Sequence, residues 1–295
     1  MATADDAILA RRVLKQQLRE ARNAAGLTRD EAVSALDWSL SKLVRMETGD
    51  QGVSVTDLRA MMQLYGVTDK ARIQELTMLA RSSRRPAWWS PYRAVVSKPL
   101  SQLLGYEGSA SSVRTFHPML IPGVLHTAEY AAALLRTTQT EEVARALVEL
   151  RMTRQERLLN RDNPPRMGFV FGEEALNRLI GGPGVMRGQL VHLLKLADHP
   201  AITLQVIPLS AGAHAGLTGP FNLLDLETGE VLLFLESAGE DFASRDDQEM
   251  IDRFIDNFEK LRESALSAAE SRQLISDRLE LLNHADTTTL YASMI

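Results

Sequence analysis

The sequence predicts an α+β protein in two parts: an all-α N-terminal domain of five short helices, and a C-terminal α+β domain with a small sheet and long terminal helices. Three observations carry this. Helix start and stop signals recur five times within about 80 residues. Strand-like alternation begins only near residue 113. The chain has 295 residues and no cysteine, long enough to bury two cores without a disulfide or a Cys-bound metal.

In the first helix Leu14, Leu18, Ala21 and Ala25 recur at spacings of four, three and four, one face of a helix. Gly26 closes it. Thr28 opens the second helix, over Arg29–Leu36, with Glu31 three residues on, a capping box. It ends at Asp37-Trp38. Ser39 caps a third helix running through Glu47 and closed by Thr48-Gly49. Thr56 is expected to cap a fourth, carrying Leu58, Met61, Met62 and Tyr65, and a fifth covers residues 69–81. The helical domain is therefore read as residues 1–81.

Residues 82–112 read as a connector with a short helix at 99–106 and a turn at 107–112. Trp88 and Trp89 sit between Pro86 and Pro91, and two such large apolar rings are expected to pack on one domain rather than swing freely. They are candidate ligand- or partner-binding residues. The second domain is read as 113–295. It opens with a strand over 113–119, helices over 127–136 and 141–160, and strands over 166–171 and 201–208 around a helix over 185–196. In the 141–160 helix Val143, Leu147, Leu150 and Leu158 are expected to face inward. A hairpin joins Phe221–Leu226 to 230–236 over Glu227-Thr228-Gly229, and helices over 246–263 and on to about 282 finish the domain.

Composition narrows the function classes. Without cysteine there is no thiol catalysis, iron–sulfur cluster or Cys-ligated zinc. The longest apolar runs are far short of a membrane span, and the N-terminus turns at once to charge, so neither membrane nor signal peptide is expected. The net charge of −5 hides a split. Residues 1–85 hold 14 Lys+Arg against 11 Asp+Glu, residues 86–220 hold 13 against 10, and residues 221–295 hold 6 against 17. The net negative charge is confined to the last quarter, which leaves the N-terminal part free to meet phosphate.

Two short helices joined by a tight turn form a helix-turn-helix, in which the second helix lies in the major groove. The run Leu27-Thr28-Arg29-Asp30-Glu31-Ala32, followed by Trp38-Ser39-Leu40-Ser41-Lys42-Leu43-Val44-Arg45-Met46-Glu47-Thr48-Gly49, resembles the xenobiotic-response-element (XRE, lambda-repressor-like) family. The resemblance implies that Trp38, Leu43 and Met46 pack inward and that Arg22 pairs with Glu47. It implies too that Ser39, Leu40, Ser41, Lys42 and Arg45 face the groove, with Arg29 placed to reach a phosphate or a nearby base. The chemistry of these side chains suits that reading. Arginine bonds bidentately to guanine, serine meets any base, and Lys42 and Arg29 suit phosphate. Two positions depart from the pattern. Asp37 stands where the turn has glycine, and Asp50-Gln51-Gly52 stands where basic residues are usual.

A second resemblance covers the rest. The stretch Phe116-His117-Pro118-Met119-Leu120-Ile121-Pro122-Gly123-Val124-Leu125-His126-Thr127-Ala128-Glu129-Tyr130-Ala131 is similar to a signature of a large actinobacterial regulator family that includes the WhiJ-like and antitoxin-like regulators. Arg151-Met152-Thr153-Arg154-Gln155, Glu173-Glu174-Ala175-Leu176 and Gly212-Ala213-His214-Ala215-Gly216 also match it. The resemblance implies a transcriptional regulator, often paired with a small companion protein encoded nearby, with a C-terminal domain of unknown function.

Catalytic readings fare poorly. Glu173-Glu174 reads as acid at a helix start, where it suits the helix dipole. Gly181-Gly182-Pro183-Gly184 lacks the Lys-Ser/Thr of a P-loop. The six histidines have no metal-binding spacing, so neither metal nor cofactor is expected. His214, flanked by glycines that permit close approach, is a further candidate for ligand or partner binding. The expectation is a cytoplasmic, non-enzymatic regulator that binds double-stranded operator DNA as a homodimer. The rival is an antitoxin-like interaction module with little DNA affinity.

Overall fold

The computed structural model describes residues 7–48, 52–227, 229–237 and 240–284. The chain divides into two units, Met1–Pro91 and Tyr92–Ile295. The division falls inside the stretch read as a connector.

The first unit holds α1 (Ala7–Ala24), α2 (Arg29–Leu36), α3 (Leu40–Thr48), α4 (Val55–Leu64) and α5 (Lys70–Ser82). Their apolar faces meet in one core built on Leu14, Leu18, Leu43, Leu58, Met61 and Leu76. The capping box forms as predicted: Thr28 Oγ1 accepts from the Glu31 amide, and the Glu31 carboxylate accepts from the Thr28 amide. Asp37 closes α2 in the left-handed conformation (φ 54°, ψ 46°), the only non-glycine residue with positive φ among the described residues. Ser39 Oγ accepts from the Lys42 amide at the start of α3. The fourth helix corrects the sequence reading. Its cap is Ser54, not Thr56, because Ser54 Oγ accepts from the Asp57 amide (3.0 Å) and donates to the Asp57 carboxylate (2.6 Å). Asp50 and Gln51, the departure after α3, lie outside the described residues.

The second unit opens with α6 (Lys98–Glu107), whose Ser97 cap precedes Pro99 in the first turn. There follow β1 (Ala110–His117), α7 (Ala128–Leu135), α8 (Glu141–Leu159), β2 (Arg166–Gly172), α9 (Glu174–Asn177), α10 (Pro183–Ala197) and β3 (Ile202–Ile207). Next come β4 (Phe221–Leu226), β5 (Val231–Leu235), β6 (Phe242–Ser244), α11 (Gln248–Ser264) and α12 (Ala268–His284). The strands form one six-stranded sheet in the order β3-β2-β1-β4-β5-β6. β1, β2 and β3 are parallel, as their helical crossovers require. β4, β5 and β6 run antiparallel. β6 was not predicted, since three residues are too few to show a period.

Alternation along the strands feeds two cores. Phe169 and Phe171 join Leu190 and Leu193 of α10 and Ile275 of α12 on one face. Val170, between them, joins Phe116 and Phe221 under Ile251, Phe258 and Leu261 of α11 on the other. The two long terminal helices thus help cover opposite faces of the sheet. On α8, Leu150 and Leu158 are buried as expected, but Val143 and Leu147 are only half-buried and Ala144 takes the inward place.

Candidate nucleic-acid interface

α3 is held by one buried carboxylate. Glu47, fully buried, accepts from Arg22 Nε of α1 (2.7 Å) and from Arg29 Nε of α2 (2.8 Å). Arg22 also donates through Nη1 to the Leu27 carbonyl (2.7 Å). Three helices are therefore tied at one point. Burial alone would raise the Glu47 carboxyl, but the hydrogen bonds and charges of Arg22 and Arg29 hold it below its ordinary value. Burial and the Glu47 charge push the nearby Tyr65 hydroxyl up to about 12.

With Leu43, Met46 and Glu47 buried, the opposite face of α3 is presented outward. Ser39, Ser41 and Arg45 are exposed, and Leu40 is 46% exposed. Trp38 is half-buried against the core. The other two predicted residues are engaged within the domain. Lys42 Nζ lies 2.7 Å from Asp57 Oδ1 and 3.7 Å from the centroid of the Trp38 ring. Arg29, with its Nε on Glu47, keeps a side chain that is 41% exposed. Leu40, Ser41 and Arg45 offer an apolar contact for a thymine methyl, a hydroxyl and a guanidinium fork, the three kinds of group that read base edges.

The remaining candidates have structural partners. Trp88 and Trp89 meet edge to face at 5.6 Å, with Trp89 buried. His214 caps a short turn, its Nδ1 accepting from the Gly216 amide (3.2 Å), and lies edge-on to Phe116 at 5.9 Å. The close approach that Gly216 allows is to the protein's own Phe116, whose ring a Cβ would meet at 2.2 Å. Glu173 accepts from Arg278 Nη2 (2.8 Å) and from the Leu209 amide (2.9 Å), a tie between α12 and the end of β3. Among the described residues no group of three or more His, Asp or Glu could hold a metal ion.

Sequence reasoning passed over one cluster in the second unit. Arg151 of α8 and His126 stand in two of the motifs quoted above, 25 residues apart, and meet in the fold. Arg151 Nη1 donates to His126 Nδ1 (2.8 Å), and His126 Nε2–H donates to the Ile121 carbonyl (2.6 Å). Because arginine only donates and a carbonyl only accepts, this fixes His126 as neutral with its proton on Nε2. Burial, then the Arg151 charge, hold its pKa well below 6.5. Burial and the charge of Arg154 bring Arg151 itself down to about 10. The signal was the Arg-x-x-Arg-Gln run inside an otherwise amphipathic helix: Arg154 binds Glu107 (Nε–Oε1, 2.8 Å), and Gln155 donates to the Val124 and His126 carbonyls.

Comparison with known families agrees with this division. Residues 14–76 match a helix-turn-helix domain, which suggests a DNA-binding regulator. Residues 100–277, more than half of the chain, match the family described as a domain of unknown function (DUF5753), and the chain belongs to that family. No curated protein and no solved structure matches the chain. Among the described residues no helix is long and apolar enough to cross a membrane.

Proposed function

We propose that this chain is a cytoplasmic, sequence-specific DNA-binding transcriptional regulator of the XRE type, acting as a homodimer, kin to the actinobacterial WhiJ-like regulators. Its C-terminal domain senses a ligand or docks a small companion protein. The observation that carries the DNA reading is the outward face of α3, where Leu40, Ser41 and Arg45 are exposed while Glu47 behind them is clamped by two arginines. A locked helix presents its side chains to base edges at little entropic cost. Two such helices, related by a two-fold axis, meet half-sites about 34 Å apart. An effector on the C-terminal domain then shifts the population of dimers with the correct spacing.

The test is a mobility-shift titration with DNA upstream of the protein's own gene, repeated across salt concentrations, with sedimentation for the dimer. Arg45→Ala is expected to cost about 1–3 kcal/mol and relax specificity at one base. Absence of binding at low salt, or binding indifferent to Arg45, overturns direct readout.

A second reading is favoured by one observation: Lys42 and Arg29, the cations suited to phosphate, are bonded to Asp57 and Glu47. On that reading the helical domain is an antitoxin-like module that binds protein. It predicts no shift at low salt and a small protein co-purifying with the chain. Both readings take the second domain as non-catalytic; turnover lost on mutating Glu173 or His214 would contradict them.

A further inference from the structure

The Arg151 guanidinium lines a cavity of about 190 Å³ between β1, α6 and α8. Its Cζ and Nε lie flat against Gly123, where an added Cβ would sit 3.5 Å away. Among the described residues its only hydrogen bond is to neutral His126, and no carboxylate comes within ion-pair distance. The neighbouring Arg154 shows what a finished site looks like here, bonded through two nitrogens to buried Glu107. Arg151 is half-buried, and a cation partly withdrawn from water without an anion is held at a cost that a bound anion would lower.

The same cavity carries two carboxylates. Glu236 acts on Arg151 through its charge without touching it. One oxygen of Glu236 accepts from Asn222 (3.1 Å), and one of Asp241 accepts from the Ser237 amide (3.3 Å). The other oxygen of each has no hydrogen bond to the described residues. Glu236 is exposed and Asp241 half-buried, and burial, then the Glu236 charge, raise the Asp241 pKa. His117 lies beside them. Its Nδ1 accepts from the Met119 and Leu120 amides, which leaves Nε2–H as a donor. Leu103, Phe169 and Phe234 give the lining an apolar part, beside the polar Thr115, Asn222 and Arg154, so an occupant has room for an apolar body. An apolar cavity of about 150 Å³ holds benzene, which sets the size here at about a benzene ring or a little more. His117, Glu236 and Asp241 also line an outer groove beside exposed Met119 and Leu217, so the groove adjoins the cavity.

We propose that this cavity binds a small zwitterion with an apolar body, an amino acid in class, its carboxylate on Arg151 and its ammonium group at Glu236 and Asp241. The observations favour it over a plain anion, which would face the two acids, and over a plain amine, which would leave Arg151 unanswered. The proposal deepens the sensing reading and rests on it for the site's purpose, not for its chemistry.

The test uses the full chain and the proteinogenic L-amino acids one at a time, by calorimetry and thermal shift. Isovalerate and isobutylamine serve as the half-ligands of valine. At least one apolar amino acid is expected to bind, and its acid or amine half alone to bind far more weakly. Arg151→Met and, separately, Glu236→Gln are each expected to weaken it about 10- to 100-fold, with circular dichroism unchanged. Failure of every amino acid to bind overturns the proposal, as does isovalerate binding as tightly as valine. Operator affinity measured with and without the bound amino acid tests the sensing reading separately: binding without any change in DNA affinity keeps the site and removes its regulatory role.

Discussion

Each of the two units withdraws a strong ionic group from water, Glu47 fully and Arg151 in part, and they treat it in opposite ways. In the helical unit Glu47 is answered by two arginines, so the charge is spent entirely on joining three helices. In the second unit Arg151 is answered by a neutral imidazole, and the acids that could neutralise it stay beyond contact across a cavity. A closed ionic knot makes a rigid scaffold that holds the outward face of α3 in place. An open one stores an unmet charge. Arg154 and Glu107, one turn along α8 from Arg151, show that the second unit also builds closed pairs.

The largest effect should come from breaking the closed knot. Glu47→Ala leaves Arg22 buried without its anion and is expected to cost about 3–5 kcal/mol. Hydrogen exchange should report loss of protection in α1 to α3, while the sheet of the second unit keeps its own. Next is a matched pair on α8. Arg154→Met strands buried Glu107 and should cost about 3 kcal/mol, whereas Arg151→Met removes an unanswered cation and should change unliganded stability by less than about 1 kcal/mol. Equal losses in denaturant titration would erase the distinction between closed and open sites.

Acid separates the units without mutation. His117, His126 and His192 all have pKa values lowered from 6.5, chiefly by burial. Below pH 6.5 the unfolded chain takes up protons that the folded second unit refuses, so its stability falls as pH drops through that value. Glu47 is lowered from 4.5, so its stabilisation is complete above pH 4.5 and is lost only as pH falls further, through its folded value. Between pH 6.5 and 5 the second unit should therefore lose protection first. Simultaneous loss in both would contradict the assignment. The smallest effect belongs to the turn. Asp37→Gly relieves a left-handed residue and should add up to about 1 kcal/mol in thermal unfolding, reduced by glycine's larger unfolded-state entropy.

The local signals were well written in the chain. Thr28 with Glu31, Gly26, Ser39 and Asp69 mark helix ends in the sequence where the structure has them, because a cap needs only neighbours within a turn. Where two hydroxyls competed, at Ser54 and Thr56, sequence reasoning chose wrongly, since the deciding bond to Asp57 depends on which amide comes into reach. The resemblance of α3 to its family's pattern implied an outward Leu40, Ser41 and Arg45, and the three are exposed. The engagement of Lys42 and Arg29 was not legible, as it needs α4 and α2 folded against α3.

The sequence by itself therefore determined the helical domain, its capped turns and most strands of the sheet. All of these follow from periodicity and from bonds spanning a few residues. The resemblance implied the Arg22–Glu47 pair, but only the tertiary structure decided how the other charges are answered. It brought Arg151 to His126 over 25 positions and set Glu236 and Asp241 across a cavity from both. The free energy of a buried charge depends on what lies within a few ångströms of it, and that neighbourhood is assembled from distant parts of the chain.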